Sequence, residues 1–549
     1  MIIKKLRLQN FKKFQDRTFE FNDDINIVVG DNESGKSSLL EAIEVVLNGC
    51  YRGKPLRSEL TTELFNNECI KAYLSGNKSQ ETLPEILVEA YLDGGPKNLK
   101  GDNNSEKQDT KGLFVRIFFD PELANAYASF IENPDSVLTL PVEMYTFEWF
   151  SFAWNRVNQH NKGINCLFVD ASRLHPTYGR TQYINGIISA ALEKNDRTTL
   201  NLNYRQLKAK FDEEDAVKAI NDNLDTANEI TKKSLKVTAD IASTTSWESS
   251  LQLAVDDVSF NQIGKGEQNQ IQIKLALKNK AQDMDVIMVE EPENHLSHIN
   301  LVQLISSIEK KNQGKQIFLT THSSYVLNKL SINKLCLLAG AYTRFKELDA
   351  KTVKTLKRFP GHDTLRVILA QKVILVEGPS DELVLKKIYL DKYGFLPEEN
   401  GIDIIVVRGI GFKNYLNIAK PIKHPVRIVK DNDGDYQKNI TKWLEDYEDD
   451  TISVFSPEGS SSYSLEPAII ESNSDNVVKL DKLAGIMLSP QTYKKYNTGD
   501  LQTKKEFLKD WFKGEKTGGR KVDSAMRIFE NNEEITFPDY LLDAVNFDE

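Results

Sequence analysis

Residues Gly30 to Ser37 read Gly-Asp-Asn-Glu-Ser-Gly-Lys-Ser, and they stand between the apolar run Ile25-Asn26-Ile27-Val28-Val29 and the helical pattern Ser38-Leu39-Leu40-Glu41-Ala42-Ile43. Strand, glycine loop and helix come in the order that a nucleotide phosphate site needs. Gly30 and Gly35 let the backbone curl so that its N–H groups point inward, Lys36 supplies a positive charge near the β and γ phosphates, and the Ser37 hydroxyl can ligate Mg²⁺. The expected nucleotide contacts are therefore Gly30, Asn32, Gly35, Lys36, Ser37 and Ser38. An ordinary glycine turn is the alternative reading, and the flanking strand and helix disfavour it.

The chain has 549 residues, too many for one hydrophobic core; at ~100 to 200 residues per domain, about three are expected. Lys and Arg total 70 against 80 Asp and Glu, a formal net charge of −10, which excludes a generally basic DNA-coating protein. Any nucleic-acid contact must then use local basic patches or metal ions. Cys50, Cys69, Cys166 and Cys336 are widely separated and lack metal-ligand spacing, so reduced thiols are expected. The N-terminal apolar run is too short for a signal peptide, and no stretch of about 18 uncharged apolar residues occurs. The expectation is a soluble, cytoplasmic protein with no membrane partner.

Short β-like runs alternate with helices up to about residue 90, and Ile86 to Leu92 alternates with period two as a half-buried strand does. Residues 93–112 are polar and rich in turn formers, which predicts a mobile surface loop. Residues 185–250 are charged and helical in pattern, either a coiled-coil dimer element or a plain amphipathic helix pair. A second β/α series opens at Lys372-Val373-Ile374-Leu375-Val376, so a boundary is expected near residues 345–370.

The run Val286 to Val289 leads into Glu290-Glu291-Pro292-Glu293-Asn294-His295, placing two acids at the end of a buried strand, where open parallel sheets bind ligands. Glu290 can hold Mg²⁺ through water, and Glu291 can orient or deprotonate an attacking water. A surface acidic cluster is the alternative, although acids seldom follow an apolar run so abruptly. A further strand ends in Thr320-Thr321-His322-Ser323, which puts His322 at the same sheet edge, able to sense a γ-phosphate. Between phosphate loop and acidic strand, Ile263-Gly264-Lys265-Gly266-Glu267-Gln268 precedes a helical stretch. Glycines at a helix N-terminus suit an anion, so Gly264, Gly266 and Gln268 can meet the γ-phosphate of a nucleotide on another subunit.

These four elements, in this order, resemble the ATP-binding cassette heads of SMC-like ATPases. Two departures stand out: Glu290 replaces the usual Asp, and Ile263-Gly264 stands where that family has Ser-Gly. No long heptad arms occur, which argues against a chromosome-bridging member.

Beyond residue 370, Val373 to Val376 runs into Glu377-Gly378-Pro379-Ser380-Asp381, and Val426 to Lys430 runs into Asp431-Asn432-Asp433. An acid on one strand end and an Asp-x-Asp pair on another can converge on one or two divalent ions, since hard cations prefer carboxylate oxygens. Two such ions activate water and stabilise a leaving phosphate oxygen. The pattern resembles a Toprim domain. Behind an ATPase head it resembles the OLD (overcoming lysogenization defect) family of ATP-dependent nucleases over nearly the whole chain. That resemblance implies Glu377 and Asp381 on one side of the metal site, Asp431 and Asp433 at its centre, and Glu466 as a further ligand. It also implies a catalytic role for Lys521, stabilising charge on the phosphate.

The implied architecture is α/β: an ABC-type ATPase head with a helical insertion, followed by a Toprim (Rossmann-like) domain. Residues 1–184 and 251–345 would form the head, 185–250 a dimerisation insertion, 346–369 a linker and 370–549 the Toprim domain. Lys504, Lys505, Lys509, Lys513, Lys516, Arg520 and Lys521, with Trp511, Phe512, Tyr493 and Tyr496 nearby, form either a DNA-tracking patch or a charged helix face. The expected activity is an ATP-regulated, metal-dependent DNA endonuclease or nickase with ATP and two Mg²⁺ or Mn²⁺ ions. An ATP-gated clamp or sensor with a non-catalytic Toprim scaffold is the alternative. A topoisomerase is disfavoured because no room is left for the separate nucleophilic-tyrosine domain it needs, and a primase because no zinc-type cysteine spacing occurs. The resemblance further implies DNA as partner, a homodimer or higher oligomer, and bacterial anti-phage defence, in some members beside a helicase or a reverse transcriptase with its RNA.

Overall fold

The computed structural model describes residues 1–132, 137–170, 194–225, 236–238, 254–260, 262–268, 270–271, 284–294, 296–311, 314–339, 341–346, 348, 350–358, 363–408, 411–445, 449–459, 462–513 and 518–547. The chain divides into two compact units, Met1–His322 and Ser323–Glu549.

The first unit holds two sheets. One is antiparallel, with β1 (Ile2–Phe11) between β2 (Phe14–Glu20) and β4 (Ile86–Asp93), followed by β5 (Thr110–Phe119) and β6 (Tyr145–Ser151). Ile3, Leu6, Leu8 and Phe11 of β1 are buried, the one-sided pattern of a sheet with a single core face. The first-unit strands of the other, six-stranded sheet are parallel, in the order β7 (Cys166–Asp170), β8 (Val286–Glu290), β9 (Gln316–Thr320), β3 (Ile25–Gly30). All of β3, β8 and β9 is buried, as continuous apolar runs in a doubly covered sheet require. Helix α1 (Lys36–Asn48) touches strands of both sheets through Leu39, Leu40, Ile43, Val46 and Leu47. It ends at Gly49, whose φ of 58° no bulky residue adopts easily and where an added Cβ would lie 2.6 Å from the Trp149 ring. The Trp149 indole N–H donates to the Val46 carbonyl at 2.9 Å, so the antiparallel sheet is bonded to the helix end.

Gln316, fully buried, joins the N-terminal strand to the parallel sheet. Its Nε2 donates to the carbonyls of Ile3 and Asn22, both at 2.8 Å, and its Oε1 accepts from the Ile3 N–H at 2.7 Å.

Residues 93–112 depart from the loop expectation. Lys100–Gly101 forms a short strand on β5, and Asn104 is buried, bonding both the carbonyl and the N–H of Gln108. Side-chain hydrogen bonds from Asn104 to the backbone four residues on order a stretch whose composition suggested mobility. Of the expected 185–250 insertion, α2 (Lys194–Asp212), α3 (Asp215–Asp225) and residues 236–238 are described, and the rest lies outside the described residues.

The second unit is built on a four-stranded parallel sheet, β11 (Ile402–Val406), β10 (Lys372–Val376), β12 (Val426–Val429), β13 (Ile452–Phe455). In register, Val376 stands beside both Val406 and Val429. Helices α4 (Pro379–Tyr393), α5 (Leu465–Ser472), α6 (Gly518–Glu530) and α7 (Asp539–Val545) cover it, and Ile374, Val384, Leu385, Ile469, Ile528 and Leu541 share its core. Among the described residues no helix is long and apolar enough to cross a membrane.

Removing the Gln316 amide leaves the buried N–H and carbonyl of Ile3 without their side-chain partner, while the Asn22 carbonyl keeps its bond from Asn26. Gln316→Ala should destabilise the first unit by about 2–4 kcal/mol, read as a lowered urea midpoint with an unchanged slope.

Candidate functional site

The first candidate site lies at the C-terminal ends of β3, β8 and β9. Gly35, at φ 102°, closes the phosphate loop, and an added Cβ there would lie 2.6 Å from the Phe14 ring. Lys36 is buried and its ammonium donates to the carbonyls of Gly30 and Asp31, both at 2.9 Å. Burial lowers its pKa, opposed by Glu291, Asp31 and Glu290. A lysine held over its own loop among carboxylates is ready to take a polyphosphate charge. The Ser37 hydroxyl donates to the Glu290 carboxylate. This pairs the two groups expected to share a Mg²⁺. A cavity of about 700 Å³ opens here, lined by Asn32, Gly35, Lys36, Ser37 and Ser38 from the loop and by Glu291 and His322 from the strand ends.

Glu291 has φ 41°, and its N–H bonds both the carbonyl and the hydroxyl of Thr320, at 3.2 and 3.1 Å. That turn aims its carboxylate toward His322, whose Nε2 is 3.6 Å from Glu291 Oε1. Asn294 Nδ2 donates to the other oxygen at 2.6 Å. Glu293 was not singled out by sequence reasoning, yet one of its oxygens accepts from the Thr321 hydroxyl at 2.8 Å and the His322 N–H at 2.6 Å. Burial raises the Glu293 carboxyl above its usual range.

Gly264, Gly266 and Gln268 do not line this cavity. Residues 265–268 are helical and Gly264 is exposed, with open space where a side chain would begin. Gln268 is buried and turns back to its own loop, donating to the carbonyls of Phe260 at 2.7 Å and Ile263 at 3.0 Å.

The second candidate site sits at the C-terminal ends of β10 and β12, which are neighbours, so Glu377 and Asp431 emerge side by side. Asp381, in the first turn of α4, accepts the Gly378 N–H at 3.0 Å. Glu466 starts α5 and is 4% exposed; Lys521 of α6 donates to it at 2.8 Å. Burial, followed by the charges of Asp381, Glu377 and Glu466, pushes the Asp431 carboxyl up to about 8, with Lys521 opposing. Burial and the charges of Glu466 and Glu377 push Asp381 up to about 7. Glu377 is raised too, by burial first, against the pull of Lys430, whose ammonium is 3.7 Å away. Asp433 is exposed at the rim, with φ 49°, and its charge acts on Glu377.

Thus Glu377, Asp381, Asp431, Glu466 and Lys521 share one crowded spot, with Asp433 at its edge. Among the described residues no three His, Cys, Asp or Glu side chains stand in geometry to hold a metal ion together. The donor set nonetheless fits a hard divalent cation: carboxylate oxygens outnumber the lysines that neutralise them, in surroundings where their mutual repulsion is costly.

Two more residues were not legible in advance. Asn432 is buried between the two acids of the Asp-x-Asp pair; its Nδ2 donates to the Pro457 carbonyl at 2.6 Å and its Oδ1 accepts from the Gly434 N–H at 2.7 Å. Tyr540 of α7 is raised well above its usual range, by burial first and then by the charges of Asp431, Asp381 and Glu466.

The expected DNA-tracking patch is mostly paired. Lys504 binds Asp481, Lys505 and Lys509 both bind Glu471, Lys513 binds Asp510, and Arg520 lies over the Trp511 ring. The charged-helix reading therefore describes this stretch better, since Asp481 and Glu471 from other helices and Asp510 from its own neutralise it; Lys516 lies outside the described residues.

Fold and sites together define a class: a nucleotide-binding ATPase core joined to a parallel α/β unit with converging carboxylates. Family models agree. Residues 5–247 match an AAA domain, residues 175–327 an AAA ATPase domain, and residues 368–433 the TOPRIM domain described as overcoming lysogenization defect protein-like. The chain therefore carries an OLD-like TOPRIM domain behind AAA-type ATPase domains, as the resemblance to an ATPase joined to a Toprim domain implied. This combination supports ATP binding and a nuclease-type role.

Among curated proteins, the DNA replication and repair protein RecF of Clostridium acetobutylicum is 30% identical over 124 residues, 22% of this chain and 33% of that protein. RecF of Lachnoclostridium phytofermentans is 25% identical over 167 residues, 30% of this chain and 44% of that protein. The chain thus spans less than half the length of these relatives. Among solved structures, the SMC head domain from Thermotoga maritima covers 61% of this chain and 94% of its own at 12% identity, with a TM-score of 0.29. An SMC head from Pyrococcus furiosus covers 65% and 99% at 13% identity, with a TM-score of 0.33. A likeness at such scores carries no functional argument.

Asn432 shapes the acidic turn without being a candidate ligand itself. Asn432→Ala should weaken Mn²⁺ binding to the full chain by about 10-fold or more, measured by titration calorimetry, with the far-UV circular dichroism unchanged.

Proposed function

We propose that the chain is an ATP-regulated, divalent-metal-dependent DNA endonuclease or nickase. The observation that carries this reading is the crowding of Glu377, Asp381, Asp431 and Glu466 around Lys521 at the ends of adjacent parallel strands. Glu377, Asp381, Asp431, Asp433 and Glu466 would hold Mg²⁺ or Mn²⁺, two ions at full occupancy. When bound, such ions lower the pKa of water and polarise a phosphodiester. Lys521, released from Glu466, would stabilise charge on the phosphate.

In the head, Lys36 and the loop N–H groups would bind the ATP phosphates, Ser37 and Glu290 its Mg²⁺, Glu291 the attacking water and His322 the γ-phosphate. Gly264, Gly266 and Gln268 would serve the nucleotide of a second subunit. A homodimer is the minimal assembly. Leu200, Leu207 and Phe211 of α2 are exposed at spacings that put them on one helix face, which supports α2 as the contact. The cellular reading is a cytoplasmic anti-phage effector acting on DNA, with a helicase or a reverse transcriptase and its RNA as candidate partners.

One observation favours a second reading, an ATP-gated DNA clamp with a non-catalytic scaffold: the acids are not preassembled as a ligand triad among the described residues. Incubating supercoiled and linear DNA with Mg²⁺ or Mn²⁺, with and without ATP, separates the two. Nicking or cutting that ATP modulates is expected; intact DNA under every condition favours the scaffold.

Asp431→Ala should reduce cleavage by at least about 100-fold and leave ATP affinity unchanged, whereas Lys36→Ala should impair ATP binding. Full cleavage by the Asp431 variant would remove the metal assignment. Leu207→Glu with Phe211→Glu should shift the light-scattering mass of the purified chain toward the monomer.

A further inference from the structure

We propose that Glu293 is a positioning residue that straps the His322 segment to the acidic turn, so that His322 and Glu291 approach a nucleotide as one unit. The proposal rests on the nucleotide reading of the head and adds a residue to which that reading gives no part.

The geometry is specific. Thr320 and Thr321 are fully buried at the end of β9, and the chain then surfaces at His322. Two of the bonds that hold this exit come from Glu293 Oε1, which accepts both the Thr321 hydroxyl at 2.8 Å and the His322 N–H at 2.6 Å. From the opposite side, the Thr321 N–H donates to the Val28 carbonyl of β3 at 3.3 Å, and Thr320 accepts the Glu291 N–H through its carbonyl and hydroxyl. The strand end that carries His322 and the turn that carries Glu291 are thereby cross-linked twice, once in each direction. The imidazole and the Glu291 carboxylate face each other at 3.6 Å as a result.

A structural role alone leaves one feature without a reason. Glu293 Oε2 is buried and has no hydrogen-bond partner among the described residues. A neutral side chain with one carbonyl oxygen would accept both donors without burying a charge. A carboxylate is the stronger acceptor for a backbone N–H, and a bond to an ionised group resists displacement more than a neutral one. That resistance matters where a γ-phosphate competes for the same segment, because catalytic groups lose effectiveness with displacements near 1 Å.

The test uses the full chain with histidine side chains labelled with ¹⁵N, the His322 signal being identified by its loss in His322→Gln. Glu293→Ala, Glu293→Gln and Thr321→Val are compared with the parent in ATP affinity, in kcat and KM for ATP hydrolysis, and in the His322 ring signal. In Glu293→Ala the expected result is ATP affinity within about threefold, a kcat lower by at least about tenfold and a displaced His322 signal. Glu293→Gln, which keeps one acceptor oxygen but not the charge, should recover part of both, falling between Ala and the parent. Thr321→Val, which removes one donor and spares the carboxylate, should displace the signal in the same direction by less.

A Glu293→Ala variant with parental kcat and an unmoved His322 signal overturns the strap, as does a Glu293→Gln variant that falls as far as Ala. Should Glu293→Ala fail to fold, Thr321→Val decides by whether the His322 signal moves. A parent chain that binds no ATP overturns the nucleotide reading instead; the strap is then decided by the His322 signal of the nucleotide-free variants, displaced or not.

Discussion

Burial of the parallel strands, complete in β3, β8 and β9 and nearly so in β10 and β12, is the constraint from which both candidate sites arise. Strands whose residues are all enclosed, as in β3, β8 and β9, can surface only at their ends. Parallel register brings their C-terminal ends to one edge, so polar residues just past the last apolar position gather there. In the first unit that edge collects the phosphate loop, the Glu290–Glu291 turn and His322. In the second it collects Glu377 and Asp431, side by side because Val376 and Val429 are paired.

The two edges solve different electrostatic problems. Around the phosphate loop, Lys36 sits among Asp31, Glu290 and Glu291, and its charge is balanced although burial disfavours it. Around Asp431 the acids outnumber the cations, and burial adds to their repulsion, so carboxyls rise to about 7 and about 8. The first arrangement suits an anion arriving with its own metal, and the second suits cations arriving alone. An ATPase head joined to an OLD-like TOPRIM domain holds both in one chain.

Much of the candidate chemistry was readable because it sits at abrupt changes along the chain. Glu290 and Glu377 each terminate an apolar run, Asp431 follows a strand-like run by one lysine, and Gly35 with Lys36 interrupts a strand-to-helix passage. Glu293 and Asn432 gave no such signal: both look like ordinary turn residues until Thr321, 28 residues away, and Pro457, 25 away, supply their partners. Tyr540 belongs to the acidic spot only because α7 packs on the sheet. The lysines near the C-terminus looked basic as a run, yet Glu471, separated from Lys505 by 34 positions and from Lys509 by 38, neutralises two of them. Residues 93–112 looked mobile because composition registers Gly, Asn and Asp without the side-chain bonds by which Asn104 closes the loop onto Gln108.

By itself the sequence determined the alternation of buried strands and helices, the loop at Gly30 to Ser37 and the acids that come after strands, since each depends on spacing and residue type within a few positions. Tertiary structure alone decided which acids meet, which lysines remain to act on them and how His322 is tied to Glu291. Those outcomes depend on ion pairs and hydrogen bonds between residues tens of positions apart, and their energies exist only once packing has excluded water and brought the partners within reach.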